Sequence, residues 1–394
     1  MTGQRSVSQP RRVIAVIGIA ALLAAACANA TTPPVPPSSG TSLSPVPVST
    51  TVPSSLPSTL PSSPAATTTP TPTEAPLALI PQPAPPDGLP VAPEAARVDL
   101  TIPTFSNPTN VTNPLFPVSA QASVLMLGRI DGKPFRTEVT LLPTTRIIEW
   151  QGQQIETLVS QYAAYLDGRI TEIAYDFYAQ DDAGAVWYFG EEVFDFVDGA
   201  IVTTEGTWLA GKDGPAAMIM PAAPKVGDVY RPENVPGFVF EEVTVTEVGR
   251  TLDGPLGSIA GGLVTSELHA DGTSEDKIFA PGYGEFLTGG GTDFEGLALA
   301  VPTDTSSAAM PAELVDMSQA ALEAFTAAGA GGSAGWSKAA ASVATIRSSW
   351  AVQATRDIPA PIQPLLTKAI ETLAAAAKAR DVAGTRSAAI ATAG

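Results

Sequence analysis

The chain has 394 residues, with 39 acidic against 21 basic side chains, a formal charge of −18, one cysteine and one histidine. A chain this acidic is repelled by nucleic acid and by anionic lipid headgroups, which excludes both as electrostatic partners. One cysteine excludes an internal disulfide, and one histidine beside it excludes a zinc site built from the usual nitrogen and sulfur ligands.

Residues 1–26 have the form of a targeting segment. Arg5, Arg11 and Arg12 precede the apolar run VIAVIGIAALLAAA, which is too short and wrongly flanked for a comfortable membrane span. The only cysteine, Cys27, follows Leu-Leu-Ala-Ala-Ala directly, an arrangement that resembles the lipobox of bacterial lipoproteins. The resemblance implies cleavage before Cys27, its acylation (palmitate among the chains), and a membrane partner reached through lipid on the extracytoplasmic side. Removing a segment with three arginines and no acid would take the formal charge from −18 to −21.

Residues 27–96 read as a disordered tether of Pro, Ser, Thr, Ala and Val, because such a composition buries too little apolar surface to offset its ordering entropy. With polyproline-II character, about 60 residues would reach on the order of 190 Å when extended, enough to act as a spacer across a cell-wall layer.

Residues 97–302 alternate apolar and polar residues in short runs broken by turn signals, the pattern of antiparallel strands. DGKP, QGQ, Asp167-Gly168 and above all Asp198-Gly199 sit between alternating runs as hairpin turns. The expectation is a mainly β domain of ten to twelve strands, an antiparallel meander forming a curled sheet or half-barrel. In YAQDDAGAVWYFGEE (residues 178 to 192), DDAG fits a four-residue hairpin loop, with its acids facing water.

From residue 311 to 394 the period becomes helical and a small all-α module is expected. Leu314, Met317, Ala321 and Phe325 share one face, Trp336, Val343, Ile346 and Trp350 a second, and Leu366, Ile370, Leu373 and Ala377 a third. Asp381 is placed to cap a fourth helix that has hardly begun when the chain stops, so an incomplete or docked bundle is expected.

VTNPLFPV (111 to 118), YDFYAQDDAGAVWYFGEE (175 to 192) and EGTWLAGKDGPAAMIMPAAPKVGDVYRPE (205 to 233) resemble an uncharacterised family of secreted and lipid-anchored actinobacterial proteins. FAPGYGEF (279 to 286) is similar to a turn of half-barrel lipoproteins of the lipoprotein-carrier type. Neither resemblance implies an assigned activity or catalytic residue.

Candidate chemistry is sparse. His269, in ELHADG, would have to serve any serine triad or imidazole metal site, but its place before a turn suits an exposed polar residue. Asp181 and Asp182 lack the spaced ligands of a calcium loop, and TGGGTD lacks the lysine of a phosphate loop. Asp181, Asp182, Glu191, Glu192, Glu241 and Glu242 are the paired carboxylates a glycoside hydrolase would need. Strand alternation sets Trp187 and Phe189 against Tyr188 and Val186, with Trp208 in the core beside one set. Tyr178 and Tyr188 would form a half-exposed stripe; with Trp187 and Trp208 they are the candidate ligand contacts. No cofactor is expected. The resulting reading is a non-enzymatic, lipid-anchored envelope protein that holds an apolar or lipid-like ligand in a curved sheet, or meets a glycan or envelope partner. The competing reading is a carboxylate-dependent envelope glycoside hydrolase.

Overall fold

The computed structural model describes residues 82–305, 309–356 and 358–394; the expected targeting segment, Cys27 and most of the expected tether lie outside these. No helix of the described residues is long and apolar enough to cross a membrane.

Turn chemistry lays out the first half of the sheet. Strands β1 (Ser123–Ile130), β2 (Lys133–Trp150), β3 (Gln153–Leu166), β4 (Arg169–Gln180), β5 (Val186–Val197) and β6 (Ala200–Thr203) follow one another as hairpins. Asp198 and Gly199 have φ of 52° and 81°, the positive pair that a type I′ turn requires. Asp131-Gly132, Gln151-Gly152 and Asp167-Gly168 repeat that pattern. DDAG is the loop expected between β4 and β5: the Gly184 amide donates to the Asp181 carbonyl at 3.0 Å, with Gly184 at φ 96°.

Beyond β6 come the short β7 (Trp208–Leu209) and β8 (Ala217–Met220), then β9 (Val229–Val235), β10 (Val239–Gly254) and β11 (Gly257–His269). The sheet ends with β12 (Ser274–Ala280), β13 (Gly284–Gly290) and β14 (Asp293–Val301). Among the described residues this makes 14 antiparallel strands in the order β6-β5-β4-β3-β2-β1-β14-β13-β12-β11-β10-β9, with β7 and β8 paired to β5. The sequence pattern undercounts because β7 and β8 are too short to show a period. They matter for shape: β8 pairs with β5 and packs beside β9, so the two ends of the path approach each other and the sheet curls without closing.

One glycine makes that curl sterically workable. Gly190 in β5 has φ 108°, and a Cβ built on it would stand 2.2 Å from the Trp208 carbonyl oxygen of β7. Gly190→Ala is therefore expected to cost roughly 1–3 kcal/mol in backbone strain plus the displacement of β7. The check is thermal melting, where a drop of about 5 °C or more is anticipated; an unchanged melting temperature would show that β7 does not press on this position.

Pro83 and Ala92, within the stretch expected to be tether, are bonded to the β-domain. The Asn234 side-chain Nδ2 donates to the Pro83 carbonyl at 3.0 Å, and the Ala92 backbone amide to Glu242 Oε1 at 2.6 Å. Glu242 also accepts both Nε and Nη2 of the buried Arg231, and a parallel bridge joins Arg97 to Val229. Residues 82–99 thus cover the free edge of β9, which would otherwise present unpaired backbone groups.

Four helices follow: α1 (Ala312–Ala330), α2 (Gly332–Gln353), α3 (Ile362–Ala379) and α4 (Val382–Ala393). Their common core holds Met317, Ala321, Val343, Ile346, Ile370 and Leu373, members of the three predicted faces; Trp336 stands outside it. Asp381 caps α4 by accepting the Gly384 amide at 3.0 Å. In contrast to the expected vestige, α4 has 12 residues and packs on α1 and α3 through Thr385, Ala388 and Ala389.

Candidate functional site: the acidic interior of the curled sheet

The concave face of a curled sheet is reached from every second residue of each strand. On β1 and β2 those residues include the apolar Val124, Met126, Val139 and Leu141, which wall a partly open cavity of about 100 Å³ with Phe116 and Tyr178. Its floor is polar: Ser160, Asp176, Glu285 and Glu295. A second, narrower void of about 20 Å³ lies between Tyr188, Tyr230, Glu233, Glu241, Glu267 and Lys277. Phe116 borders both.

Register builds a belt of acids across this interior. Glu233 pairs with Glu241, Glu241 with His269, Glu267 with Glu275, and Thr288 with both Lys277 and Glu295. On the facing strands Asp176 pairs with Glu191. Few donors reach them. The Tyr188 hydroxyl donates to Asp176 Oδ1 at 2.9 Å, Trp208 Nε1 to Glu233 Oε1 at 2.8 Å, and the Thr137 hydroxyl to Glu295 Oε1. Lys277, with its side chain 3% exposed, meets Glu267 Oε1 at 2.7 Å.

Burial of so many carboxyls raises their pKa values, because the charged form loses its hydration. Burial, followed by the charge of Asp195, takes Glu172 to about 9. Glu295 rises to about 8 through burial and then Glu285. Glu275 rises to about 8 and Asp176 and Glu233 to about 7, burial again leading. Glu191 and Glu241 are raised by burial and then by neighbouring acids. Burial opposes the Lys277 ammonium, but the carboxylates led by Glu267 outweigh it and its pKa rises. At neutral pH much of the belt is therefore uncharged carboxylic acid, able to donate as well as accept.

The residues singled out from the sequence fall in different places. Asp181, expected in water, is buried and serves its turn: Oδ1 accepts the Ala183 and Ala185 amides at 3.0 and 2.9 Å, and Oδ2 accepts Trp187 Nε1 at 2.9 Å. Asp182 is exposed and accepts the Ser106 amide and the Thr104 and Ser106 hydroxyls, which hold its carboxyl below the usual range. Glu192 meets Arg146 at 2.5 Å, and Glu242 pairs with Arg231. Only Glu191 and Glu241 join the belt, and both are buried rather than solvated.

Tyr178 and Tyr188 are 5% and 1% exposed, so the half-exposed stripe is instead a sealed pair, stacked at 5.1 Å. Trp208 goes with this set, edge-on to Tyr188 at 5.4 Å. Trp187 and Phe189 take the opposite face, where Phe189 packs with Phe105 and Trp150. Of the four candidate contacts, Tyr178 lines the cavity and Tyr188 the narrow void; Trp187 and Trp208 line neither.

His269 also departs from expectation. Its side chain is 12% exposed among three glutamates, and burial holds its pKa below the ordinary value despite Glu267. Sequence reasoning missed Glu233, Lys277 and Glu295 altogether. Their signal was phase: Lys277 lies in step with buried Phe279, and Glu267 in step with buried Leu263 and Thr265. No family model, no curated protein and no solved structure matches the chain.

Proposed function

We propose that the protein is a lipid-anchored receptor of the cell envelope, whose curled sheet takes up an apolar ligand bearing one hydrogen-bonding group. Acylated Cys27 would hold the chain at the membrane, and the Pro/Ser/Thr-rich segment would carry the β-domain outward. The observation that carries this reading is the cavity itself, with aliphatic walls from β1 and β2 over a floor of buried carboxyls. Its 100 Å³ sets the scale. An apolar cavity of about 150 Å³ accommodates benzene, so the fit here is a ring or the end of an acyl chain rather than a whole lipid.

Protein extracted from its own membranes should release an apolar molecule into organic solvent, identifiable by mass spectrometry. Val139→Trp, which fills the cavity, is expected to abolish that molecule while leaving the fold intact. Equal extracts from both proteins would overturn the reading. The hydrolase alternative has less support, since Asp181, Asp182 and Glu192 are each engaged by donors of their own and Glu191 is buried.

A further inference from the structure

We infer that Glu241, Glu267 and His269 form a binding site for one divalent transition-metal ion, with Glu275 supporting the imidazole. Three strands place these groups together. Glu241 on β10 stands opposite His269 at the end of β11, Glu267 lies two residues earlier on the same face, and Glu275 on β12 stands opposite Glu267.

Distances give the site its shape. His269 Nδ1 lies 3.8 Å from Glu241 Oε1 and 4.0 Å from Glu267 Oε1. One ligand atom from each of the three residues lies within 4.8 Å of the others. Ligands roughly 2.0–2.2 Å from a metal stand about 3–3.5 Å from each other, so closing the three around an ion takes a contraction of about half an ångström at the imidazole and of up to about 1.5 Å between the two carboxylates. As they stand, both contacts to the imidazole are too long for hydrogen bonds. Glu241 and Glu267 are 7% and 2% exposed, so both carboxylates are withdrawn from bulk water, and Glu267 Oε1 is engaged by Lys277.

An independent observation lies on the other side of the ring. Nε2 faces Glu275 Oε1 at 3.8 Å; that side chain is 10% exposed, and Oε1 has no hydrogen-bond partner. A metal-bound histidine characteristically donates its second ring N–H to a carboxylate, which fixes the tautomer and strengthens the ligand. Glu275 Oε1, without a hydrogen-bond partner of its own, stands where that acceptor would be needed, and a shift of somewhat under an ångström would bring it within hydrogen-bond range. One imidazole and two carboxylates suit a borderline ion such as Zn²⁺ or Mn²⁺. Carboxylates brought together by strand register supply the ligands that one histidine and one cysteine cannot. Lys277 also contacts Glu267 Oε1, so an ion competes with its ammonium there.

The test is calorimetric titration of the chelator-treated full chain with Zn²⁺ and, separately, Mn²⁺. One ion per chain is expected, with affinity falling at least 10-fold in His269→Ala and Glu241→Gln. Glu275→Gln, which removes no ligand, should weaken binding by roughly 10–100-fold. It serves as the second variant if His269→Ala misfolds. Absence of binding by the wild type, or equal binding by wild type and all folded variants, would overturn the site. Val139→Trp should bind the ion normally, so this inference and the cavity reading fail separately.

Discussion

Thermal unfolding is expected to show the protein most stable near pH 5 and progressively less stable toward pH 8, the reverse of the usual carboxylate trend. The cause is the buried belt. In the unfolded chain Glu172 and Glu295 titrate near 4.5, whereas the folded protein keeps their protons until about 9 and about 8. Between those limits the folded state binds more protons than the unfolded state, so stability falls as pH rises. Below about pH 4.5 both states are protonated and the contribution is full; above the folded values it is gone. A pKa displaced as far as that of Glu295 is linked to roughly 5 kcal/mol. For a domain of this size that corresponds to a fall in melting temperature on the order of 10 °C from pH 5 to pH 8. Glu295→Gln should flatten the slope and raise stability at pH 8. Below about pH 4 the trend should turn over, because the Ser106 amide holds the Asp182 carboxyl below its ordinary range in the folded protein, so the unfolded chain takes up that proton first. Calorimetry at stepped pH decides the matter: constant or rising stability between pH 5 and 8 would mean that these carboxyls are not buried in neutral form.

Trp208→Ala is the single substitution with the largest expected effect. The indole is 1% exposed, packs edge-on against Tyr188 of β5, and donates Nε1 to Glu233 of β9 at 2.8 Å. It therefore bridges the two ends of the strand path where the sheet curls. Deleting a buried tryptophan leaves a cavity and costs about 3–5 kcal/mol, and it also strips Glu233 of its donor. Trp208→Phe keeps most of the ring contact and loses only the N–H, so about 1–2 kcal/mol is expected. Combining Trp208→Phe with Glu233→Gln should be less than additive, since both remove the same hydrogen bond. Denaturant unfolding monitored by near-ultraviolet circular dichroism checks all three. A Trp208→Ala loss below about 1 kcal/mol would mean that the indole does not hold the curl.

Wherever the controlling forces are local, the residues themselves settled the structure. A Gly after Asp or Gln fixed four type I′ turns, because positive φ at two successive positions is cheap only for such pairs. Alternation fixed the long strands, and a 3.6-residue period fixed the helical faces that meet around Ile346 and Leu373. The acid belt was legible only as a phase irregularity: a Glu or Lys where the buried face of β11 or β12 called for an apolar residue. Which of 39 acids would meet was not legible, since that depends on register between strands far apart in sequence. Glu233 comes under Trp208 only because β7, two residues long, is carried by β5 to the rim beside β9. His269 reads as a turn-flanking residue in ELHADG, yet the pairing of β10, β11 and β12 surrounds it with three glutamates. The sequence determined the elements and their amphipathic faces. Tertiary structure alone decided that the concave face would carry a buried acidic belt around a single lysine, because burial and cross-strand proximity are properties of the curled sheet and of no one strand.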